Sequence, residues 1–255
     1  MSKGKFKAGV HPYEGKEFAA SKEIKRLKGE EIMVFPMSQH IGAPATPCVK
    51  VTDMVLKGMK IGEASGFVSS PVYSSVSGTV MRIEDRTMLN GKTSKCVVIK
   101  NDFEDECVEG FGISREVNAL SNDEIIKIIS DSGIVGMGGA GFPTYAKLDE
   151  RAETIILNCA ECEPLLRLHR QLLEKYAKEI IDTFHMIGET VGAKEVIIGI
   201  KKAYTATIEA VKAVMGQYPE VRLGLLDEVY PAGDEVVLIY ETTGKVVRPV
   251  SYTHL

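Results

Sequence analysis

"EVIIGI", Glu195 to Ile200, is apolar after its first residue and interrupted only by a glycine. A strand covered on one face alternates polar with apolar side chains, whereas a strand covered on both faces is apolar throughout. This stretch is of the second kind, and its surroundings repeat a pattern. "TIILN" (Thr154 to Asn158) reads as a strand. "PLLRLHRQLLEKYAKEIIDTFHMIGETVG" (Pro164 to Gly192) brings apolar residues back every three or four positions, which predicts a long amphipathic helix. Beyond the central strand, "AYTATIEAVKAVMG" reads as a helix and "VRLGLL" (Val221 to Leu226) as a strand. Strand, helix, strand, helix, strand predicts a parallel sheet with covered faces, a Rossmann-like α/β domain. A helix is also expected in "SNDEIIKIISDSG", with Ser121 as N-cap and Glu124 at capping-box spacing.

The first part of the chain has another texture. Residues 1–30 are polar and basic, an N-terminal arm with the helix-compatible "SKEIKRLKGEE". From Ile32, short runs rich in Val, Ile and Ser are broken by Gly, Pro and Asn, which predicts a small all-β barrel or sandwich over 31–102. The acidic 103–120 reads as a linker, and 121–249 as the α/β domain. "YPAGDEVVLIYETTGKVVRP" reads as turn, helix, turn, and no element then closes the sheet. The expectation is a truncated domain followed by a tail, 250–255, foreign to it. The whole is α+β and multi-domain.

Composition excludes several classes. The chain has 255 residues, 44% hydrophobic and 26% charged, with a net charge of −4, so no basic footprint argues for nucleic acid. No apolar run approaches the roughly 18–20 residues of a membrane helix. The N-terminus lacks an apolar signal core, and five cysteines do not suggest a disulfide framework. These features point to the reducing cytoplasm.

"VKVTDMVLKGMKIGEA" (Val49 to Ala64) followed by "VYSSVSGTV" has the rhythm of biotinyl and lipoyl carriers, and the resemblance covers 43–83. Thr52 stands at the usual glycine of the first turn. A carrier needs a lysine at the hairpin tip, and none lies between Glu63 and Met81. A docking or structural module fits better than a swinging arm. "SQHIGAP" (Ser38 to Pro44) reads as a binding loop or equally as a surface turn.

Three loops carry the chemistry. In "GIVGMGGAGFPTYAK" (Gly133 to Lys147), Gly136, Gly138, Gly139 and Gly141 bare the backbone, and Lys147 could neutralise a phosphate. "GMGGAG" fits G-x-G-x-x-G literally, but a helix precedes it and a proline closes it; a tight turn between packed elements is the alternative. "LNCAECEPLL" (Leu157 to Leu166) follows a strand, at the carboxyl end where open α/β sheets bind ligands. There Asn158 offers an amide, Glu161 and Glu163 offer two acids, and Pro164 is placed to open the helix. The glutamates either face a ligand or cap that helix. Cys159 and Cys162 form C-x-x-C: a redox pair, half a metal site, or two unpaired thiols, the last favoured because no second such motif exists. No metal is expected. The third loop, "YPAGDE", sets Gly233, Asp234 and Glu235 at another strand end.

Taken in order, "GVHPYEGKEF", "FPMSQHIGAPATPCVKVTD", "GFVSSPVYSSVSGTV", "GIVGMGGAGFPTYAKL" and "LNCAECEPLL" resemble RnfC-like proteins over about residues 9–249. These are peripheral electron-input subunits of the Rnf electron transport complex. The glycine loop is also similar to that of the flavin-bearing subunit of complex I. The resemblance implies a barrel-sandwich hybrid domain, then an α/β domain binding FMN and NADH. It implies that Gly136, Gly138, Gly139, Gly141 and Lys147 hold the flavin, and that Asn158 meets it. Glu161 and Glu163 would face flavin and nucleotide, and Gly233 and Glu235 would line the nucleotide side. Hydride would pass from NADH to FMN, then to 4Fe-4S clusters in a C-terminal region absent here. The expected partners are other Rnf subunits, at the cytoplasmic face of the inner membrane without a span of the chain's own. There are departures. Met137 stands where the complex I subunit has arginine, His169 where an aspartate is usual, and Cys159 where a glycine is usual. Cys159 and "EPLLRLHRQLL" are closer to PrdC, the relatives associated with proline reductase. A soluble carrier feeding such a reductase, or an adaptor without cofactor, are the rival readings.

Overall fold

The computed structural model describes residues 8–114, 116–117, 119–137, 141–148 and 151–247. They form two compact units. One runs from Arg26 to Leu148, and the other joins the residues up to Lys25 with those from Arg151 onward. Tail residues 250–255 lie outside the described residues.

The first unit begins with seven strands: β1 (Ile32–Pro36), β2 (Thr46–Pro47), β3 (Met54–Val55), β4 (Lys60–Glu63), β5 (Val72–Tyr73), β6 (Gly78–Thr87) and β7 (Thr93–Asn101). One sheet has the order β1-β7-β6-β3 and the other β2-β4-β5, with every pairing antiparallel. Phe35, Met37, Val55, Ile61, Val80, Val97 and Ile99 share one core, drawn from both sheets. This is the expected small β sandwich. Thr52 adopts φ 78, the left-handed region that favours glycine, so the carrier rhythm's turn survives its substitution.

Two boundaries differ from the sequence reading. The acidic segment read as a linker lies along the first unit. Lys57 N–H donates to Glu106 O at 2.8 Å, and Val108 N–H donates to Lys57 O at 3.0 Å. Helix α1 (Asn122–Asp131) and the glycine loop also belong to this unit rather than to the α/β unit. The capping box on α1 is present as expected, Ser121 accepting from Glu124 N–H and Glu124 from Ser121 N–H.

The second unit contains β8 (Thr154–Cys159), α2 (Leu168–Val191), β9 (Glu195–Lys201), α3 (Thr205–Met215), β10 (Val221–Leu226) and α4 (Glu235–Thr243). The sheet order is β10-β9-β8, all parallel. Alternate residues of β9 serve opposite faces. Val196, Ile198 and Ile200 join the core with α2 and α3, while Gly199 faces α4. Gly199 and Gly224 are register partners, and a Cβ on either would stand 2.6 Å from an α4 side chain, Leu238 or Thr242. The paired glycines let α4 lie close on the sheet. Gly224→Val is expected to lower the unfolding free energy by about 1–3 kcal/mol through overpacking. Urea unfolding checks this, and no change would mean that α4 is free to lift.

Two helix expectations are corrected. "SKEIKRLKGEE" has no helix; the segment has no apolar face to bury, and only a short 3₁₀ turn, Lys16–Ala19, precedes it. Helix α2 starts at Leu168, four residues after Pro164, which therefore does not open it.

Candidate functional site

The glycine loop is shut at its base. Val135 and Pro143 form an antiparallel bridge, Gly136 N–H donates to Phe142 O at 2.9 Å, and Thr144 N–H donates to Ile134 O at 3.0 Å. Gly136 thus spends its N–H on its own chain. Gly141 has φ 67, and a Cβ there would sit 2.7 Å from Gln39 O and 3.0 Å from His40 Cα. What approaches this bared backbone is the "SQHIGAP" loop. Gly138 and Gly139 lie outside the described residues.

His40 is buried, not on a surface turn. Its Nε2 accepts from Ser70 N–H at 3.2 Å, which leaves the ring proton on Nδ1, 3.1 Å from Ile41 O. Tyr145 donates its hydroxyl to Phe67 O at 3.1 Å. The hairpin tip where a carrier would hold its lysine instead buttresses the glycine loop. Lys147 closes this region. Its ammonium lies 4.8 Å from the Phe142 ring centre, and burial pulls its pKa below the usual lysine range. Among the described residues no carboxylate forms an ion pair with it. A half-desolvated, unpaired cation beside a glycine loop fits an anionic group such as a phosphate.

In the α/β unit the expected residues meet at the carboxyl ends of β8 and β10. Asn158 Nδ2 donates to Gly233 O at 2.8 Å, and its Oδ1 accepts from Ala160 N–H at 3.2 Å. Gly233 N–H reaches Cys162 Sγ at 3.0 Å. Asn158, Cys162 and Gly233 therefore fasten two loops together. Asp234 caps α4 through Val236 and Val237 N–H, with Glu235 in its first turn.

Glu161 turns inward. It is 6% exposed; Oε1 accepts from His169 N–H at 2.8 Å and Oε2 from Arg170 Nε at 3.0 Å. Arg167, at the N-cap position of α2, caps nothing, so Glu161 supplies the missing acceptor from seven residues before the helix. Of the two readings left open for this residue, the geometry is that of the cap. Glu163 is exposed.

The sequence reading missed Glu14, Lys16, Arg170 and Lys201. Lys16 Nζ donates to three carbonyls, Glu161 O at 2.6 Å, Glu163 O at 2.9 Å and Leu166 O at 2.9 Å. Burial lowers its pKa, against the opposing pull of Glu161 and Glu14. Lys201, 2% exposed at the end of β9, pairs with Glu14 at 3.0 Å. Burial acts to lower the Lys201 pKa, but the Glu14 hydrogen bond and nearby charges raise it overall. Arg170 lies 4.1 Å over the Tyr204 ring. Three buried or half-buried cations thus face two carboxylates at one sheet edge. A lysine in a polar arm reads as solvated, so nothing local marked Lys16. The stretch around it, "GVHPYEGKEF", carries part of the family resemblance but no chemical signal of its own.

Burial pushes the Cys159 thiol up to about 12. A thiol so protonated is a poor nucleophile at neutral pH, which speaks against a redox pair. In native alkylation near neutral pH, exposed Cys48 and Cys107 are expected to react well before Cys159. Equal rates in the folded chain would overturn this. Among the described residues no group of three or more His, Cys, Asp or Glu could hold a metal ion, and no helix is long and apolar enough to cross a membrane.

The RnfC barrel-sandwich hybrid domain family matches residues 4–104. The RnfC subunit of the Na(+)-translocating ferredoxin:NAD(+) oxidoreductase complex of Acetobacterium woodii is 38% identical over 96% of this chain and 56% of its own length. Its proton-translocating counterpart in Clostridium ljungdahlii is 37% identical over 95% of this chain and 54% of its own length. The corresponding subunit of the ion-translocating oxidoreductase complex of Pectobacterium atrosepticum is 32% identical over 95% and 35%. The chain belongs to the RnfC family. It spans little more than half the length of the first two relatives. A second family, the Nuo51 FMN-binding domain, matches residues 129–254 of this RnfC-family chain, from the glycine loop through α4. The architecture is thus a barrel-sandwich hybrid followed by an α/β domain of the flavin-binding type, in an electron-transfer subunit.

Proposed function

We propose that this chain binds FMN and NADH and acts as the nucleotide-oxidising part of an Rnf-type complex. The observation that carries the reading is Lys147, an unpaired amine half removed from water beside a glycine loop, inside the segment matched by an FMN-binding family. A flavin phosphate would restore the stabilisation that burial takes from this ammonium. Gly136 and Gly141 hold the loop's shape, and Gly138 and Gly139 keep their inferred place at its tip. In the α/β unit, Asn158, Gly233 and Glu161 act as supports, while Glu163 and Glu235 are the acids assigned to the nucleotide. The excess positive charge of Lys16, Arg170 and Lys201 over Glu14 and Glu161 suits a ligand carrying phosphates.

FMN, when bound, accepts hydride from a nicotinamide and releases electrons singly; this chain positions, desolvates and neutralises. Onward transfer to iron–sulfur clusters outside this chain, to ferredoxin and to other Rnf subunits, is part of the same proposal. It places the chain peripherally at the cytoplasmic side of the membrane. The rival adaptor reading draws on Met137, which stands 94% exposed where the complex I relative has a cation.

The test is an absorption spectrum after FMN loading and removal of excess, followed by anaerobic NADH titration. Retained flavin that bleaches supports the proposal. Retained flavin that NADH leaves oxidised points to another donor, such as the PrdC-type reading allows. A folded chain that keeps no flavin leaves the adaptor.

A further inference from the structure

The N-terminal segment is stitched to every strand end of the α/β sheet. Val10 exchanges backbone hydrogen bonds with Tyr230 at 3.0 and 2.9 Å, beyond β10. Glu14 takes Lys201 at the end of β9. Beyond β8, Leu165 N–H donates to Glu14 O at 2.8 Å, and Lys16 gathers the carbonyls of Glu161, Glu163 and Leu166. Arg167 Nη1 then reaches Ala20 O at 3.1 Å, and Gln171 Nε2 reaches Lys22 O. The segment is a strap across the edge where open α/β sheets bind ligands.

The loop under the strap has an unusual backbone. Glu161 has φ 44 and Leu165 φ 66, and neither is a glycine. Such conformations persist only where the surroundings over-determine them, and they cluster at ligand clamps. Lys16 is what over-determines this one. Its choice is not explained by packing. A buried cation loses hydration, and an apolar side chain of similar volume would fill the space without that loss. An ammonium does what an apolar group cannot: it collects three carbonyls around one point and so sets the course of the backbone between Glu161 and Leu166.

We propose that Lys16 is a positioning residue, holding the 160–167 loop so that Glu163 is presented to the nucleotide. This rests on the functional reading above for the identity of the ligand. The strap itself rests on the geometry alone.

The experiment compares Lys16→Met, Glu163→Gln and the double variant with the parent chain. NADH affinity is measured by titration of the flavin-loaded protein, and loop protection by hydrogen exchange without ligand. Lys16→Met is expected to weaken NADH binding by about tenfold to a hundredfold, the scale of a displaced positioning contact. Glu163→Gln is expected to weaken it in the parent and to add little once Lys16 is gone, because both act through one contact. Amides 160–167 are expected to exchange faster in Lys16→Met, with 195–201 unchanged. Additive effects with unchanged loop exchange would reduce Lys16 to a structural staple and overturn the proposal. If the parent chain binds no nucleotide, the functional reading fails, and loop exchange still decides the strap. Should Lys16→Met not fold, Lys16→Gln, which keeps an N–H donor, is read in the same way.

Discussion

Glu161→Ala is expected to destabilise the α/β unit by about 3–5 kcal/mol, the cost of stripping a buried charge of its partner. Glu161 and Arg170 have side chains 2% and 14% exposed, and their closest atoms are 3.0 Å apart. Removing the carboxylate leaves the Arg170 guanidinium over Tyr204 with its main counter-charge gone. It also leaves the His169 N–H, in the first turn of α2, without its acceptor. Glu161→Gln separates these losses, since an amide oxygen can still accept one hydrogen bond but carries no charge. It is expected to fall between the parent and Glu161→Ala. Urea unfolding followed by far-UV circular dichroism measures both. A cost for Glu161→Ala below about 1 kcal/mol, the scale of one neutral hydrogen bond, would show that Arg170 finds another partner.

The second large effect is expected at the glycine loop. Gly141→Val should cost about 2–5 kcal/mol, combining ~1–2 for a left-handed residue with ~1–3 for overpacking. The overpacking is against backbone, Gln39 O and His40 Cα, which cannot swing aside as a side-chain end can. Gly91→Val is the control. Gly91 has φ 76, with nothing within 4 Å of a built Cβ, so it carries only the conformational part. If the two substitutions cost the same, the close approach at Gly141 is not limiting. FMN retention should fall at least about tenfold in Gly141→Val, because the loop must move to admit the side chain, and should be unchanged in Gly91→Val.

The α/β architecture was legible because its signals are local and periodic. "EVIIGI" is apolar at nearly every position because it is covered on both faces, and β9 is indeed the central strand. The Ser121–Glu124 capping box needed only its own four residues. The sandwich could be read from short β signals and from the turn that Thr52 still makes. The segments that depart from expectation are those whose conformation is decided elsewhere. "SKEIKRLKGEE" has helix-compatible residues but no apolar face, and tertiary contacts draw part of it out, as at Lys22. Pro164 suits a helix start, yet the chain first detours around Lys16, and α2 begins at Leu168.

The candidate site divides in the same way. The residue types at the strand ends, Asn158, Glu161, Glu163, Gly233 and Glu235, and Lys147 after the glycines, follow from order and spacing along the chain. A parallel sheet gathers its carboxyl-end loops whatever their separation in sequence. Which of these side chains is committed to the protein itself could not follow from spacing. That depends on partners far off in the chain: Glu161 on Arg170, Asn158 on Gly233, Gly141 on Gln39. Periodicity, glycine and charge act locally, so the order of residues was enough to set the two architectures and the groups available for chemistry. The role of Lys16, which sets the backbone of a loop 145 residues further on, emerges from the folded chain alone. A buried ammonium is defined by the carbonyls that surround it, and those are brought together only by folding.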